Sequence, residues 1–417
     1  MKLLKTCLTF ACALGGLLPL DSPHAQRQYG PGVTDTEIKI GQTMPYSGPV
    51  TAVSAIGRAH AAYFKMINER GGINGRRITL MSRDDGYNPA KTVEQTRKLV
   101  EQEGVLLMFG SPGTGPQTSV QRYLNIQKVP QLFITASTLK LVDPKNFPWT
   151  MVFPPSQRTE VAPLARYLLT HRVTAKIGVL YQNDDYGKGF LQALKEALAN
   201  KAQPTIVSEA SYEVSDPSID SQIIALRGAG ADTLFDFSTP KFGSFAIRKV
   251  YDMGWQPLHF VSVPSTSIAA TLAPAGLDKS VGLLSAGFLK DPSAPEWQND
   301  AGTKEWLAWM KHYYPEGDVA EWLNVYGYTS AQALVHVLQR CGDRLTRENV
   351  MRVAASITDL ELPMLLPGIR LNTSPTDFYP IRQTVLRRFD GKAWVRVGDS
   401  SAARSRLSPR LTYLWER

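Results

Sequence analysis

The chain has 417 residues, 43% of them hydrophobic and 20% charged, with a formal net charge of +9. That length exceeds one ordinary core and predicts two domains, and the composition excludes a disordered or fibrous chain. Basic residues are spread along the sequence, and their one dense cluster, at 404–410, lacks interleaved stacking aromatics. Nucleic acid is therefore excluded as a partner, and the charge reads as a solvated surface that mildly favours anionic ligands.

Lys2 and Lys5 precede an apolar run over 6–20, and small residues follow near Ala25. This pattern predicts an export signal over residues 1–25 and a periplasmic destination. Its removal takes Lys2, Lys5 and Asp21 and lowers the net charge by one. The residues before Cys12, Thr9-Phe10-Ala11, are a poor lipid-attachment sequence. No other stretch reaches the roughly 18 apolar residues needed to span a bilayer, so a soluble exported protein is expected. Cys7 and Cys12 leave with the signal, which isolates Cys341, just after the helical apolar pattern 331–338. No intrachain disulfide is possible, and Cys341 reads as a structural thiol.

Residues 37–43 (EIKIGQT) alternate as a first strand and lead into the turn 45–49, where Tyr46 lies. Ile56, Ala59, Tyr63, Met66 and Ile67 share a helical face that Gly71-Gly72 terminates. A strand over 77–82 follows, with Asp84 and Asp85 at its carboxyl end. Asn88-Pro89 caps the next helix, which runs to about residue 101.

The stretch 103–138 is the organising unit. An apolar strand over 105–109 runs into the Gly/Pro loop 110–116, a helix over 117–126 and a second strand over 131–135. Such a βαβ unit implies parallel strands, and ligands of parallel sheets bind beyond the strands' carboxyl ends. Both loops at that end carry hydroxyls: Ser111 and Thr114, then Thr135, Ser137 and Thr138. Each could merely fill a turn, but together on adjacent loops they point to a site that grips a polar group.

Pro154-Pro155 reads as a first crossing to a second β/α pattern. Its helices are expected over 161–169, 190–198, 220–228 and 245–253. Its strands are expected over 176–181, 205–211, 233–237 and 259–263. The strand-end loops hold Asp184, Asp185 and Tyr186, then Phe242, then Ser265 in PSTS. Residues 282–286 are expected to cross back, ahead of helices over 305–313, 326–339 and 347–355. Asp390-Gly391 predicts a hairpin over 384–397. The fold class is thus α/β, with two doubly wound parallel-sheet lobes joined by a multi-crossing hinge. The expected partition is 33–152 plus 283–365 for lobe 1 and 153–282 plus 366–398 for lobe 2, with a disordered tail over 399–417.

Catalytic motifs are missing. There is no P-loop and no Gly-x-Ser-x-Gly elbow, and the spacing of 110–115 is not the dinucleotide fingerprint. The six histidines stand without ligands at metal spacing. No enzyme, no cofactor and no metal are expected.

The segments IKIGQTMPYSGP, INERGGINGR, RDDGYNPAKTVEQTRKLV, VPQLFITAS, YQNDDYGKGF and YGYTSAQAL, in that order, resemble the Leu/Ile/Val-binding type of periplasmic substrate-binding protein. The resemblance covers residues 37–397 and implies a type I periplasmic-binding fold with three crossings. It also implies a monomer that delivers a small solute to the membrane permease of an ABC importer. It places the ligand's carboxylate on Thr114, Ser137 and Thr138, with Ser111 on the same loops. It places aromatic contacts at Tyr186 and Phe242, and Tyr46 completes the apolar wall. Where amino-acid binders hold an ammonium with carboxylates, this chain has Gln157 and, in the second lobe, Ser265 or Thr266. Neutral groups cannot repay the desolvation of an ammonium. The sequence therefore favours an apolar or aromatic carboxylate. A branched-chain amino acid is the alternative, with Asp84, Asp184 or Asp185 supplying the charge, and a sensor module is a further one.

Overall fold

The computed structural model describes residues 27–199 and 203–398. The expected leader over 1–25 and the expected tail over 399–417 lie outside the described residues. A lead strand, β1 (Gln28–Tyr29), comes first. Strands β2 (Glu37–Met44), β3 (Arg77–Asp84), β4 (Leu107–Phe109), β5 (Gln131–Ile134) and β6 (Thr150–Val152) then form an all-parallel sheet in the order β3-β2-β4-β5-β6. Strands β7 (Lys176–Gln182), β8 (Thr205–Tyr212), β9 (Thr233–Phe237), β10 (Leu258–Val261) and β11 (Leu284–Gly287) repeat that pattern as β8-β7-β9-β10-β11. The short β12 (Arg344–Leu345) pairs with β1, while β13 (Val385–Phe389) and β14 (Trp394–Arg396) extend the second sheet antiparallel from β11.

The helices are α1 (Ala55–Glu69), α2 (Pro89–Arg97), α3 (Thr114–Ile126), α4 (Gln157–His171), α5 (Asp185–Leu198), α6 (Asp220–Gly228) and α7 (Pro240–Asp252). The single turn α8 (Ala273–Ala275), α9 (Ala301–Tyr313), α10 (Trp322–Cys341) and α11 (Arg347–Ala354) follow. α1 packs on α10 over the first sheet, and α4 packs on α5 and β11 of the second. The architecture is α/β, with two doubly wound lobes. The chain passes between them after β6, after β11 and again between α11 and β13.

Residues 282–286, expected to cross back, instead lead into β11 and pair inside the second sheet with β10 and β13. The run Leu-Ser-Ala-Gly is buried throughout. A short buried strand carries no alternation that would tell it from an irregular crossing.

Local chemistry explains several boundaries. Asn88 caps α2 by accepting the N–H groups of Ala90 and Lys91, with Pro89 at the first helical position. Helix α4 begins four residues before the expected start, capped by Ser156, and runs through Pro163. Proline removes the bond to the carbonyl four residues back. That carbonyl, Thr159 O, accepts the Thr384 hydroxyl at 2.8 Å instead. Helix α10 also starts four residues early because the Glu321 carboxylate caps it, accepting Leu323 N–H at 2.9 Å.

His60 is fully buried between Gln42 (2.8 Å) and Ser330 (2.9 Å), and burial pushes its pKa down to about 3, so it stays neutral. Burial likewise raises the Cys341 thiol to about 12. Among the described residues no cluster of three or more His, Cys, Asp and Glu side chains could hold a metal, and no helix is long and apolar enough to cross a membrane.

Candidate functional site

A cleft opens between the carboxyl ends of the two parallel sheets, enclosing about 770 Å³ of space that is partly continuous with solvent. Its wall is mostly apolar. Val50, Val53, Ile56 and Pro112 line it from the first lobe, Pro154 and Pro155 from the crossing, and Pro240, Val263 and Pro264 from the second lobe. Trp322, Leu323 and Tyr326 of α10 close it, with Tyr87, Tyr186 and Phe288. The Phe153 ring in the crossing stands edge-on to Phe133 (5.7 Å) and Tyr326 (5.4 Å), which fixes the floor.

The polar wall is sparse. β4 ends at the 110–116 loop, and Gly113 (φ 100°) is the N-cap of α3. Only glycine fits there, because a Cβ would lie 2.6 Å from the Tyr87 ring. This places Thr114 at the first helical position, where helix N–H groups lack intrahelical acceptors and an anion is favoured. The Thr114 Oγ1 is buried, faces the cleft wall and has no hydrogen-bond partner. The Tyr326 hydroxyl is also buried, next to Thr135. Ser137 and Thr135 line the same wall, although Thr135 donates to Gly110 O at 3.2 Å.

Of the eight expected site residues, Thr114, Ser137 and Tyr186 meet at this cleft. The other five do not line it. Ser111 Oγ accepts Thr43 N–H at 3.0 Å and ties the loop after β4 to β2. Thr138 Oγ1 accepts Lys140 N–H and caps a short turn. The Tyr46 hydroxyl pairs with Ser82 at 2.8 Å. Phe242 packs against Tyr212, ring centroids 4.1 Å apart and tilted by 31°, in the core beneath α7. Ser265 donates to Ser238 O at 2.7 Å. In each case a loop residue that could face a ligand satisfies the protein's own backbone or core.

The ammonium positions change as well. Gln157 turns into the second lobe and donates to Tyr186 O at 2.6 Å. One turn later, Glu160 faces the cleft. Its Oε1 accepts Val263 N–H at 2.7 Å, and its other oxygen has no hydrogen bond. Burial raises its pKa to about 8, partly opposed by the Val263 N–H and by Arg387, so it enters neutral pH mainly protonated. Asp84, Asp184 and Asp185 are engaged elsewhere. Asp84 pairs with Lys91 at 2.7 Å, and Asp184 caps α5. Asp185 reaches across the cleft mouth to Lys140 at 2.9 Å. A second tie between lobes joins the Ser267 hydroxyl to Glu321. Glu160 was legible in principle, since i and i+3 share a helix face. Tyr87, Trp322 and Tyr326 carried no signal that separates a wall from a core.

This fold and this inter-lobe cleft define the type I periplasmic-binding class. The family model "Periplasmic binding protein" matches residues 37–392, and the chain belongs to that family. It is 28% identical over 225 residues to Leu/Ile/Val-binding protein homolog 3 of Brucella melitensis biotype 1, covering 53% of this chain and 60% of that protein. The chain thus matches about three fifths of the length of that relative. It is 21% identical over 314 residues to Leu/Ile/Val-binding protein homolog 1 of Brucella abortus, covering 75% and 81%. Among solved structures, a branched-chain amino acid ABC transporter protein from Thermus thermophilus with bound valine superposes with a TM-score of 0.80 at 17% identity, covering 88% and 96%. A fatty acid ABC transporter substrate-binding protein from Thermomonospora curvata gives 0.75 at 23% identity, covering 89% and 94%.

Proposed function

We propose that this chain is the periplasmic solute-binding subunit of an ABC importer. As a monomer it holds a small carboxylate with an apolar body between the lobes and hands it to a membrane permease. The observation that carries the reading is the unpartnered Thr114 hydroxyl at the start of α3, facing a wall of prolines and aliphatic and aromatic side chains. A carboxylate placed there would take the hydroxyl, the first-turn N–H groups and Ser137, while the rest of the molecule lies against apolar surface. A neutral Glu160 suits this arrangement, because it can donate to a ligand oxygen. The names of the related transport proteins support the importer role.

One observation favours a second reading, a branched-chain amino acid. The free oxygen of Glu160 could meet an ammonium if the carboxyl gave up its proton. Titration calorimetry with leucine and with its 2-oxo acid, each in two buffers of different ionisation enthalpy, tests the pair. The 2-oxo acid should bind at least tenfold more tightly, about 1.4 kcal/mol, without proton release. Leucine binding tenfold more tightly, with a proton released near pH 7, establishes the second reading instead.

A further inference from the structure

Behind the cleft, beyond the Trp322 wall, lies a second and smaller cavity of about 370 Å³, also partly open to solvent. Ile268 and Trp394 line it from the second lobe, Lys290 and Asp291 from the crossing after β11, and Trp322 from the first lobe. Arg387 completes it.

Arg387 is 7% exposed. Its guanidinium lies over Gly287 on the neighbouring strand, where a Cβ would come within 2.0 Å of Nε. The missing side chain at 287 is the slot that admits the guanidinium. A guanidinium has five N–H donors. Here Nη1 and Nη2 make single bonds of 3.4 Å to Leu289 O and Ala286 O, and Nε makes none.

Among the described residues no carboxylate is hydrogen-bonded to Arg387, although Asp291 and Glu296 act on it through space and Glu160 is mainly protonated. Asp291 faces the same cavity, but its oxygens accept the N–H groups of Ser293 and Trp394, both at 2.9 Å. Glu296 holds Arg396 at 3.0 Å, Glu160 takes Val263 N–H, and Lys290 is paired with Asp300 at 2.7 Å. Burial lowers the Arg387 pKa only to about 10, so the group stays charged at neutral pH. The Trp394 ring, 5.7 Å from the guanidinium carbon, offsets part of that charge, but a buried charge without a direct ion pair remains costly.

From the slot at Gly287, the three unused donors and the cavity that Arg387 lines, we propose that Arg387 forms a binding site for one small monovalent anion of the halide class. The anion would lie at the second crossing, separate from the cleft and touching both lobes. It would take the donors that no protein oxygen reaches and offset the charge that Asp291 does not meet directly.

Crystals of the protein grown in sodium bromide, with data collected at the bromine edge, test the site. An anomalous peak beside the Arg387 guanidinium is expected; a water there with no anomalous signal overturns the proposal. The unfolding midpoint of the wild type should rise by about 2–4 °C when gluconate is replaced by chloride at constant ionic strength. An Arg387→Met variant should lose that rise. If the variant does not fold, the bromide map on the wild-type protein decides alone.

Discussion

The two lobes share one strand order yet use their strand-end loops differently. In the first lobe, the loops after β4 and β5 leave the Thr114 hydroxyl buried and unpartnered at the cleft. In the second lobe, the equivalent hydroxyls close on one another. Ser262 and Ser265 both donate to Ser238 O, at 2.9 and 2.7 Å, and Tyr186 donates to Ser262 at 3.1 Å. The first lobe leaves a free hydroxyl at the cleft, while the second presents a largely apolar surface whose polar side chains there are Glu160, Thr239 and Tyr186. Identical topology therefore does not fix function; the satisfaction of individual polar atoms does.

The comparison can be broken most forcefully at Glu160. Its folded pKa of about 8 lies above the ordinary value of 4.5. A raised pKa means that the folded chain holds the proton more tightly. The stabilisation is complete below pH 4.5 and is lost as pH rises to about 8. Relative to Glu160→Gln, the wild type should lose stability across that window by up to about 1.4 kcal/mol per pH unit. Denaturant melts of both proteins at half-unit pH steps check this; parallel curves would show an ordinary surface carboxylate. Glu321, raised to about 7, is common to both proteins and cancels.

Next in size is Thr114→Val. It should weaken ligand binding by about 1–3 kcal/mol, or roughly 5- to 150-fold, with an unchanged unfolding midpoint. The mirror experiment in the second lobe is Ser265→Ala. It should cost about 1 kcal/mol of stability and leave affinity within about twofold, because its bond is internal. Calorimetry and melting on the two variants side by side sharpen the contrast, and an affinity loss in Ser265→Ala would erase it. The smallest effect belongs to Lys140→Ala, which removes the exposed tie to Asp185 at the cleft mouth. Surface pairs contribute about 0–1 kcal/mol. Affinity should drop by no more than about fivefold, and the difference should vanish at high salt.

Most of the architecture was legible because periodicity and turn residues are local signals. The βαβ unit over 103–138, the Asn88-Pro89 cap and the Asp390-Gly391 hairpin all follow from neighbouring residues. The early starts of α4 and α10 were not: the carbonyl freed by Pro163 is taken up by distant Thr384, and glutamate is not among the usual N-caps although its bond to Leu323 N–H is local. The site was legible only in part. Hydroxyl-rich loops mark the cleft, but whether Ser111 or Thr114 faces it depends on whether Thr43 N–H claims the oxygen. Gln157 and Glu160 show the same gap. The acid that meets the cleft lies one helical turn beyond the position where the resemblance looks for it.

The antiparallel pair β13-β14 comes from the end of the described chain yet completes the middle of the second lobe's history. Until residues 385–396 have been synthesised, β11 is a bare strand edge, with Gly287 uncovered and its carbonyls open to any passing strand. An exposed edge of that kind invites pairing with other chains. The second sheet therefore reaches its final edge only when this last hairpin is in place. A chain truncated before residue 385 should form the first sheet and leave the second as an aggregation seed.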